Sequence, residues 1–487
     1  MSGINITFLN PPYLKNFSRP QRSPAVTKSG TLYYPMWLSY AAGYSEKGGH
    51  AIDLIDAPAA DLDNNQVLAR LEGFSPSLVV VEVSTPSIYN DANFCELIKQ
   101  RLPDTLIILV GTHVSALPEA SLQLNNSIDA VAIGEFDLTI RDAADAVGAG
   151  ADLHNVRGLC LREEAGTFTT GARPMCENLD DLPFVSSIYK RFLDIGRYFN
   201  PNALFPMITI TTTRGCPHHC TFCVYPQTMM GHKVRARSVA NVVDEIEYII
   251  ANFPGVKSIF FEDDTFPANK KRCLAICEEI IRRKIKISWT ANARAEIDHE
   301  TLRIMKEAGC RCLCVGFESG NQQLLDNIKK RITLDKVQDF MNAARKAGIL
   351  IHGCFIVGHP GETQETMEET LRLAIQLQPE SAQFYPVMVY PGTAAYRWYQ
   401  ERDLINSMDF SKWLTPDGLH NTVIRGEHLS SRELVQFCDH ARKAFYLRPR
   451  YFLYKIIQML TTPSEIRRNL KSVKTFTKYL LRGSDVG

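Results

Sequence analysis

No run of about 18 uncharged apolar residues occurs in the 487-residue chain, so no membrane-spanning helix is expected. The N-terminus lacks a charged segment followed by an apolar core. It enters an apolar, strand-like run at Ile4 and then Pro11-Pro12, so no signal peptide is expected. Net charge is also nearly absent: a formal +1 argues against wholesale nucleic-acid binding, which usually needs a basic excess. Thirteen cysteines, an odd number and mostly scattered, do not read as a disulfide framework. They point to a reduced, cytoplasmic protein. No G-x-G-x-x-G follows the first apolar run, which makes a dinucleotide site there a poor fit.

The length is too great for one core and implies two or three domains. The first third alternates short apolar runs, at residues 5–9, 51–55, 78–83, 106–110 and 130–133, with helix-length amphipathic segments. Leu78-Val79-Val80-Val81 has the continuous apolar character of a buried parallel strand. The alternation predicts an α/β fold: a doubly wound, Rossmann-like domain over residues 1–147. Ligands of such sheets bind outside the carboxyl ends of the strands. Pro12, Ser84, Thr85, Gly111, Thr112, His113, Gly134 and Glu135 occupy those ends. Residues 148–202 read as a linker holding a small hairpin at residues 159–162 and 167–170.

The strongest local signal is TTTRGCPHHCTFCVYP, which sets Cys216, Cys220 and Cys223 at C-x3-C-x2-C spacing after a β-rich run. Thiolates suit iron–sulfur clusters and zinc. A structural zinc would want a fourth protein ligand, which His218 or His219 could supply. Three thiolates on a four-iron cluster instead leave one iron open to a substrate or cofactor. Downstream follow SIFFEDDTF, ISWTANARAEID, LCVGFESG and GCFIVGHPGET.

This spacing, and the order of those segments over residues 207–391, resemble the radical S-adenosylmethionine (SAM) enzymes. The resemblance implies a partial (β/α)6 barrel over residues 203–395, with its chemistry at the carboxyl ends of the strands. It also implies a [4Fe-4S] cluster on Cys216, Cys220 and Cys223, and SAM chelated to the open iron. Reductive cleavage of SAM would give a 5′-deoxyadenosyl radical that takes hydrogen from unactivated carbon. Phe222 would pack near the adenine. Glu262 and Asp263 fall in the second-strand motif, and Arg294 is a candidate partner for the SAM carboxylate, its planar fork suiting both oxygens. Glu318 and Ser319, in the G-x-E-S-G pattern, would meet ribose and carboxylate, and Gly358 would shape the adenine loop.

The upstream runs LNPPY, YYPMWLSYAAGYSEKGGHAIDLIDA, LVGTHVSALPE and IDAVAIGEFD resemble the cobalamin domain of cobalamin-dependent members. No D-x-H-x-x-G motif follows the first strand, so cobalamin without a histidine axial ligand is expected. The subgroup implied includes anaerobic Mg-protoporphyrin cyclases and hopanoid-modifying enzymes. It implies C-methylation through methylcobalamin, or alternatively cyclisation, ring contraction or oxygen insertion. A non-catalytic cobalamin sensor has no need of an open iron. A tRNA methylthiotransferase would carry cluster cysteines in its first third, which here holds only Cys95. The implied partners are a hydrophobic small-molecule substrate (lipid or tetrapyrrole) and a low-potential donor such as flavodoxin or ferredoxin.

Two further features are expected from pattern. Cys310, Cys312 and Cys314 alternate and would share one strand face, more simply as buried residues than as a second cluster. Residues 396–487 read as a helical C-terminal domain. Between Arg442 and Arg482 stand eleven Lys or Arg and one acid, Glu465, interleaved with aromatics. Such a segment is either a solvated cap or a peripheral contact with an anionic membrane.

Overall fold

The computed structural model describes residues 3–164 and 166–461. The first sheet contains Asn5–Asn10 (β1), Ala51–Asp56 (β2), Leu78–Glu82 (β3), Leu106–Val110 (β4), Ala130–Ala132 (β5), Leu159–Glu163 (β6) and Gly166–Thr169 (β7). Its order is β2-β1-β3-β4-β5-β6-β7. The first five strands are parallel, and β6 and β7 join antiparallel at the edge. The hairpin expected in the linker is thus the outer margin of this sheet. Chain order reverses between β1 and β3, so the carboxyl ends of those two strands form the crevice where doubly wound sheets take ligands. Helices Met36–Lys47 and Asp137–Ala149 pack together beside the sheet.

The second sheet is Met207–Ile210 (β8), Ser258–Phe261 (β11), Ser288–Ala293 (β12), Cys310–Glu318 (β13), Leu350–Val357 (β14) and Ser381–Pro386 (β15), all parallel and in chain order. This is the expected six-stranded partial barrel. The short pair Thr213–Arg214 (β9) and Arg235–Ala236 (β10) clasps the two ends of the cysteine loop. The helix Ser431–Tyr446 closes the last strand: the Tyr446 hydroxyl lies 2.9 Å from Ala382 N and 2.8 Å from its carbonyl. Between β15 and that helix the chain crosses to the first domain, where Phe410 packs edge-on against His113. Among the described residues no helix is long and apolar enough to cross a membrane.

The two domains are joined by buried charge. Arg214 donates 2.6 Å to Asp137 and also to Glu135, while Arg235 donates 2.5 Å to the other Glu135 oxygen. The Arg214 side chain has no solvent exposure, and its guanidinium stacks near Trp37 and Tyr40. Removing one member of such a network leaves uncompensated buried charge, which costs about 3–5 kcal/mol. Arg214→Ala is therefore expected to destabilise the chain by about that much. Denaturant unfolding checks this, and a loss under about 1 kcal/mol would refute it.

Candidate active site

The cysteine loop leaves β9 through Gly215, whose φ is +86° and where a Cβ would stand 2.2 Å from Lys233 O. Only glycine permits that approach. Cys216 N donates 3.2 Å to Gly231 O, and Cys223 N donates 3.3 Å to Cys220 O. Gln227 sits behind the loop and donates to the carbonyls of Cys220, Thr221 and Cys223 at 3.3, 3.2 and 2.8 Å. Its own oxygen accepts from Ala394 N at 2.9 Å, and Ala395 N donates 2.9 Å to Thr221 O. The residues just beyond the barrel thus fasten the loop. Burial pushes the Cys216 and Cys223 thiols above their ordinary range, so metal binding must displace their protons.

Among the described residues no three His, Cys, Asp or Glu side chains are grouped to hold a single metal ion. The donor set, three thiols on one loop, suits an iron–sulfur cluster with an open iron.

Positive charge surrounds the loop. Arg294 places Nη1 4.0 Å from Cys220 Sγ and Nε 2.8 Å from Glu296, and also donates to Lys330 O. Lys330 is buried and donates 2.6 Å to Glu318. Burial works to lower the Lys330 ammonium, but Glu318 beside it holds it above its ordinary range. Glu318 has a left-handed backbone, φ +65°, at a register break in β13. A Cβ on Gly316 would stand 2.1 Å from its carboxylate, so the glycine of G-x-E-S-G makes room for the folded-back acid. Strain of this kind collects where a side chain must be aimed. The second Glu318 oxygen has no partner, nor does Nε2 of buried His359, whose ring lies 5.7 Å from Phe222. Burial, helped by Lys330, pushes His359 down to about 3, leaving a neutral imidazole. SAM fits here: Phe222, Glu318, Arg294 and the Gly358 turn would hold it beside the loop.

The other sequence candidates divide. Glu262 pairs with Arg22, which comes from the first domain and also reaches Asp264 at 3.0 Å. Asp263 is buried and accepts from Thr212 N at 3.1 Å and Thr212 Oγ1 at 2.8 Å. It braces the approach to the cysteine loop rather than presenting its carboxylate to a ligand. Ser319 is buried too, its hydroxyl accepting 3.1 Å from Asn321 N at the start of a helix. Gly358 N donates 3.2 Å to Glu362.

Register shows what lines the barrel lumen. Thr290 pairs with Cys312, Asn292 with Cys314, Cys314 with His352, Gly316 with Cys354 and Cys354 with Gln383. A shift between Trp289 and Thr290 makes Arg311 an extra residue, a β-bulge, so Cys310 lies on the opposite face with Trp289. The expectation that Cys310, Cys312 and Cys314 share a face fails for that reason. Burial pushes His352 down to about 4 and the Cys354 thiol up to about 12, so the lumen groups are uncharged. Tyr33 is half-buried here with Glu262 and Arg22 as neighbours, whereas Tyr34 and Trp37 are core.

At the first sheet's crevice, Asn10, Asp56 and Glu82 end β1, β2 and β3 side by side. Asn10 pairs in register with Asp56 and donates 3.3 Å to it, and Glu82 follows Val81, the partner of Leu9. Asn10 Oδ1, Glu82 Oε2 and Trp37 Nε1 are buried without partners. Pro12 O accepts 2.9 Å from Asn90. Ser84 and Ser87 hydroxyls meet at 2.8 Å in a buried network with Asp91 and Arg19. Thr85 Oγ1 lies 3.1 Å from His113 Nδ1, and burial pushes His113 down to about 3. Gly111 and Thr112 begin the neighbouring turn. A cavity of about 320 Å³ lies between Gly134, at the end of β5, and Met229 and Gly231 beyond the cysteine loop. Glu135 also borders it, with its carboxylate held by Arg214 and Arg235. The orphaned polar atoms at the carboxyl ends of β1 and β3 fit cobalamin, whose corrin rim carries carboxamides that can pair such atoms, while the cavity lies apart, at the outer margin of the sheet.

Gln227, Lys330, His359 and Glu82 were not singled out from sequence. His359 lay within the GCFIVGHPGET run, and Lys330 within the basic triplet Lys329-Lys330-Arg331.

Burial pushes Glu82 up to about 8, Glu362 to about 7 and Asp56 to about 6. Each binds a proton more tightly folded than unfolded. Stability is therefore free of this penalty below the unfolded carboxyl range and falls as pH rises toward each folded value. Glu82→Gln is expected to lose less stability than the parent between about pH 5 and pH 8. Melting curves across that range check it, and parallel pH profiles would refute it.

Comparison with known proteins is consistent with this geometry. Residues 210–374 match the family model of the Radical SAM superfamily, and residues 22–144 match the B12 binding domain. An uncharacterized methyltransferase of Pyrococcus horikoshii is 31% identical over 440 residues, 90% of this chain and 93% of that protein. The anaerobic magnesium-protoporphyrin IX monomethyl ester cyclase of Rubrivivax gelatinosus is 28% identical over 405 residues, 81% of this chain and 71% of that protein. Among solved structures, the cobalamin-dependent SAM radical enzyme OxsB aligns over 98% of this chain and 73% of its own, with TM-score 0.72 and 16% identity. The methyltransferase TsrM from Kitasatospora setae aligns over 82% and 75%, with TM-score 0.67 and 19% identity. At such identities the two structures speak for the fold alone. The paired domain matches and the full-length relative make the chain a B12-binding member of the radical SAM superfamily, an enzyme of a [4Fe-4S] cluster, SAM and cobalamin.

Proposed function

We propose that the chain methylates an unactivated carbon of a hydrophobic small molecule, a lipid or a tetrapyrrole. When bound, the cluster and SAM supply an organic radical able to remove hydrogen from carbon, and cobalamin supplies a transferable methyl group. The observation that carries the reading is the placement of the two sites. Arg214 and Arg235, on the strands that clasp the cysteine loop, are locked to Glu135 and Asp137 at the end of β5. Cobalamin bound in the first sheet's crevice would thereby be held near the mouth of the barrel, as transfer between the two requires.

The chain's own groups support the reading in three ways. Arg22 of the first domain neutralises Glu262 and Asp264 at the mouth. Arg294 and Lys330 offset the charge of the thiolates and offer cations to a carboxylate. The neutral lumen of Cys314, His352, Cys354 and Gln383 suits an uncharged substrate portion. The likeness to a cyclase keeps cyclisation as a second reading.

Anaerobic reconstitution with iron, sulfide and hydroxocobalamin, followed by SAM and a reductant, tests the proposal. Methylation predicts both 5′-deoxyadenosine and S-adenosylhomocysteine by mass spectrometry, and Cys220→Ala should abolish 5′-deoxyadenosine. 5′-Deoxyadenosine alone, with cobalamin bound, would favour cyclisation or rearrangement.

We also infer a peripheral membrane contact at the C-terminus. The helix Pro449–Thr461 exposes Phe452, Leu453, Ile456 and Leu460. The remaining basic residues of that segment lie outside the described residues. Binding to vesicles rich in anionic lipid, weakened by salt, is expected in flotation, and recovery of all protein below the vesicles would refute it.

A further inference from the structure

One short segment beside the cysteine loop has a costly backbone. Lys329 and Arg331 both adopt left-handed conformations, with φ of 55° and 53°. Neither is glycine, asparagine or aspartate, the residues that enter this region most readily. The two turns alternate the side chains: Lys330 goes inward to Glu318, while Lys329 and Arg331 are exposed. The segment is fixed to the cysteine loop, because Thr221 N, between Cys220 and Cys223, donates 3.1 Å to Ile328 O. The backbone thus holds two cations on the outer face of the loop that binds the cluster.

Other groups extend the patch. His219 is exposed and its ring lies 4.0 Å from that of His232. Lys233 stands beside them but is paired with Glu177 at 2.6 Å. Asp326, five residues before Arg331, accepts from Gln322 at 3.0 Å, and Glu296 is paired with Arg294. Neither Lys329 nor Arg331 is in an ion pair among the described residues. A cluster buried under such a face is reached most directly through it, and like-charged cations held without partners favour an anionic visitor.

We propose that this face is the docking surface for an acidic one-electron carrier protein, with Lys329 and Arg331 as its anchors. The inference rests on the assignment of a cluster to Cys216, Cys220 and Cys223. Docking brings the carrier's redox group to the outer side of the loop, and one electron passes from the reduced carrier to the oxidised cluster with no bond made or broken. The opposite face of the loop remains free for SAM.

The test uses the full-length protein reconstituted with cluster and cobalamin, and follows bleaching of the cluster absorbance in stopped flow. Two reductants are compared: reduced flavodoxin, an acidic protein, and photoreduced 5-deazariboflavin, a small uncharged molecule. Wild-type reduction by flavodoxin should slow as ionic strength rises. The double variant Lys329→Glu, Arg331→Glu should slow it about tenfold or more at low salt while leaving reduction by deazariboflavin unchanged. Lys329→Asn, Arg331→Asn, which keeps a residue tolerant of the left-handed turn, should give a smaller loss in the same direction. Equal rates for parent and charge-reversed protein with flavodoxin would overturn the proposal, as would equal losses with both reductants. Cluster content is measured before any reductant is added, so a parent without a cluster would count against the cluster assignment and not be mistaken for failed docking.

Discussion

The position of Arg214 governs much of this molecule. It stands two residues before the first cluster cysteine and has no contact with water. A guanidinium in that setting needs anions close by, and the chain supplies Glu135 and Asp137 from the other domain. Arg235 shares Glu135 from the far side of the loop. The attraction is strong because the site is dry, and the geometry is narrow because both guanidinium groups are planar. Relative domain motion is the usual expectation for two-domain chains, but here it would strip these charges of their partners. The distance between the crevice of the first sheet and the cysteine loop is fixed by that requirement.

The same constraint explains why charge in the site is so unevenly shared. Around the cysteines the cations Arg294 and Lys330 are buried or nearly so, each tied to a carboxylate. Deeper in the lumen the polar groups are neutral. Beneath the cobalamin crevice the acids outnumber the bases: Asp56, Glu82 and Asp91 face the single Arg19, and burial keeps Glu82 protonated near neutrality. The groups inside the barrel are thus uncharged, while ionic contacts stay at its mouth.

Much of this was legible in the sequence because the relevant patterns are local. A continuous apolar run such as residues 78–81 has few structural solutions, and the cysteine spacing has fewer. The alternation of strands and helices in the first third follows from such runs, the three-cysteine loop from its spacing, and the six-stranded barrel from the family resemblance those motifs carry. What could not be read is what depends on distant pairing. Glu135 stood at a strand end, as a ligand-facing residue would, yet its partners are Arg214 and Arg235, about a hundred residues on. Asp263 stood in the expected motif, and its carboxylate proves to be held by Thr212 and Thr213, fifty residues back. The bulge at Arg311 was invisible because strict alternation is the default assumption for a strand, and one inserted residue turned Cys310 to the other face. Lys330 was hidden by its neighbours, since a run of three basic residues reads as a solvated surface until the backbone turns the middle one inward.

The cysteine loop is closed by Gln227 and by the backbone of Ala394 and Ala395, and its flank by Ile328. During synthesis Gln227 follows the three cysteines at once, but Ala394 and Ala395, which anchor it and Thr221, emerge long after. Contacts so far apart in the chain are made late, after the intervening barrel strands have paired. A growing chain presents its thiols on an unfastened loop for most of that interval, in a form accessible to iron delivery and to oxidation alike. Once Ala394 and Ala395 arrive, the loop is pinned from behind. The order of the chain thus leaves the loop unpinned until the residues just beyond the last strand of the barrel have been made.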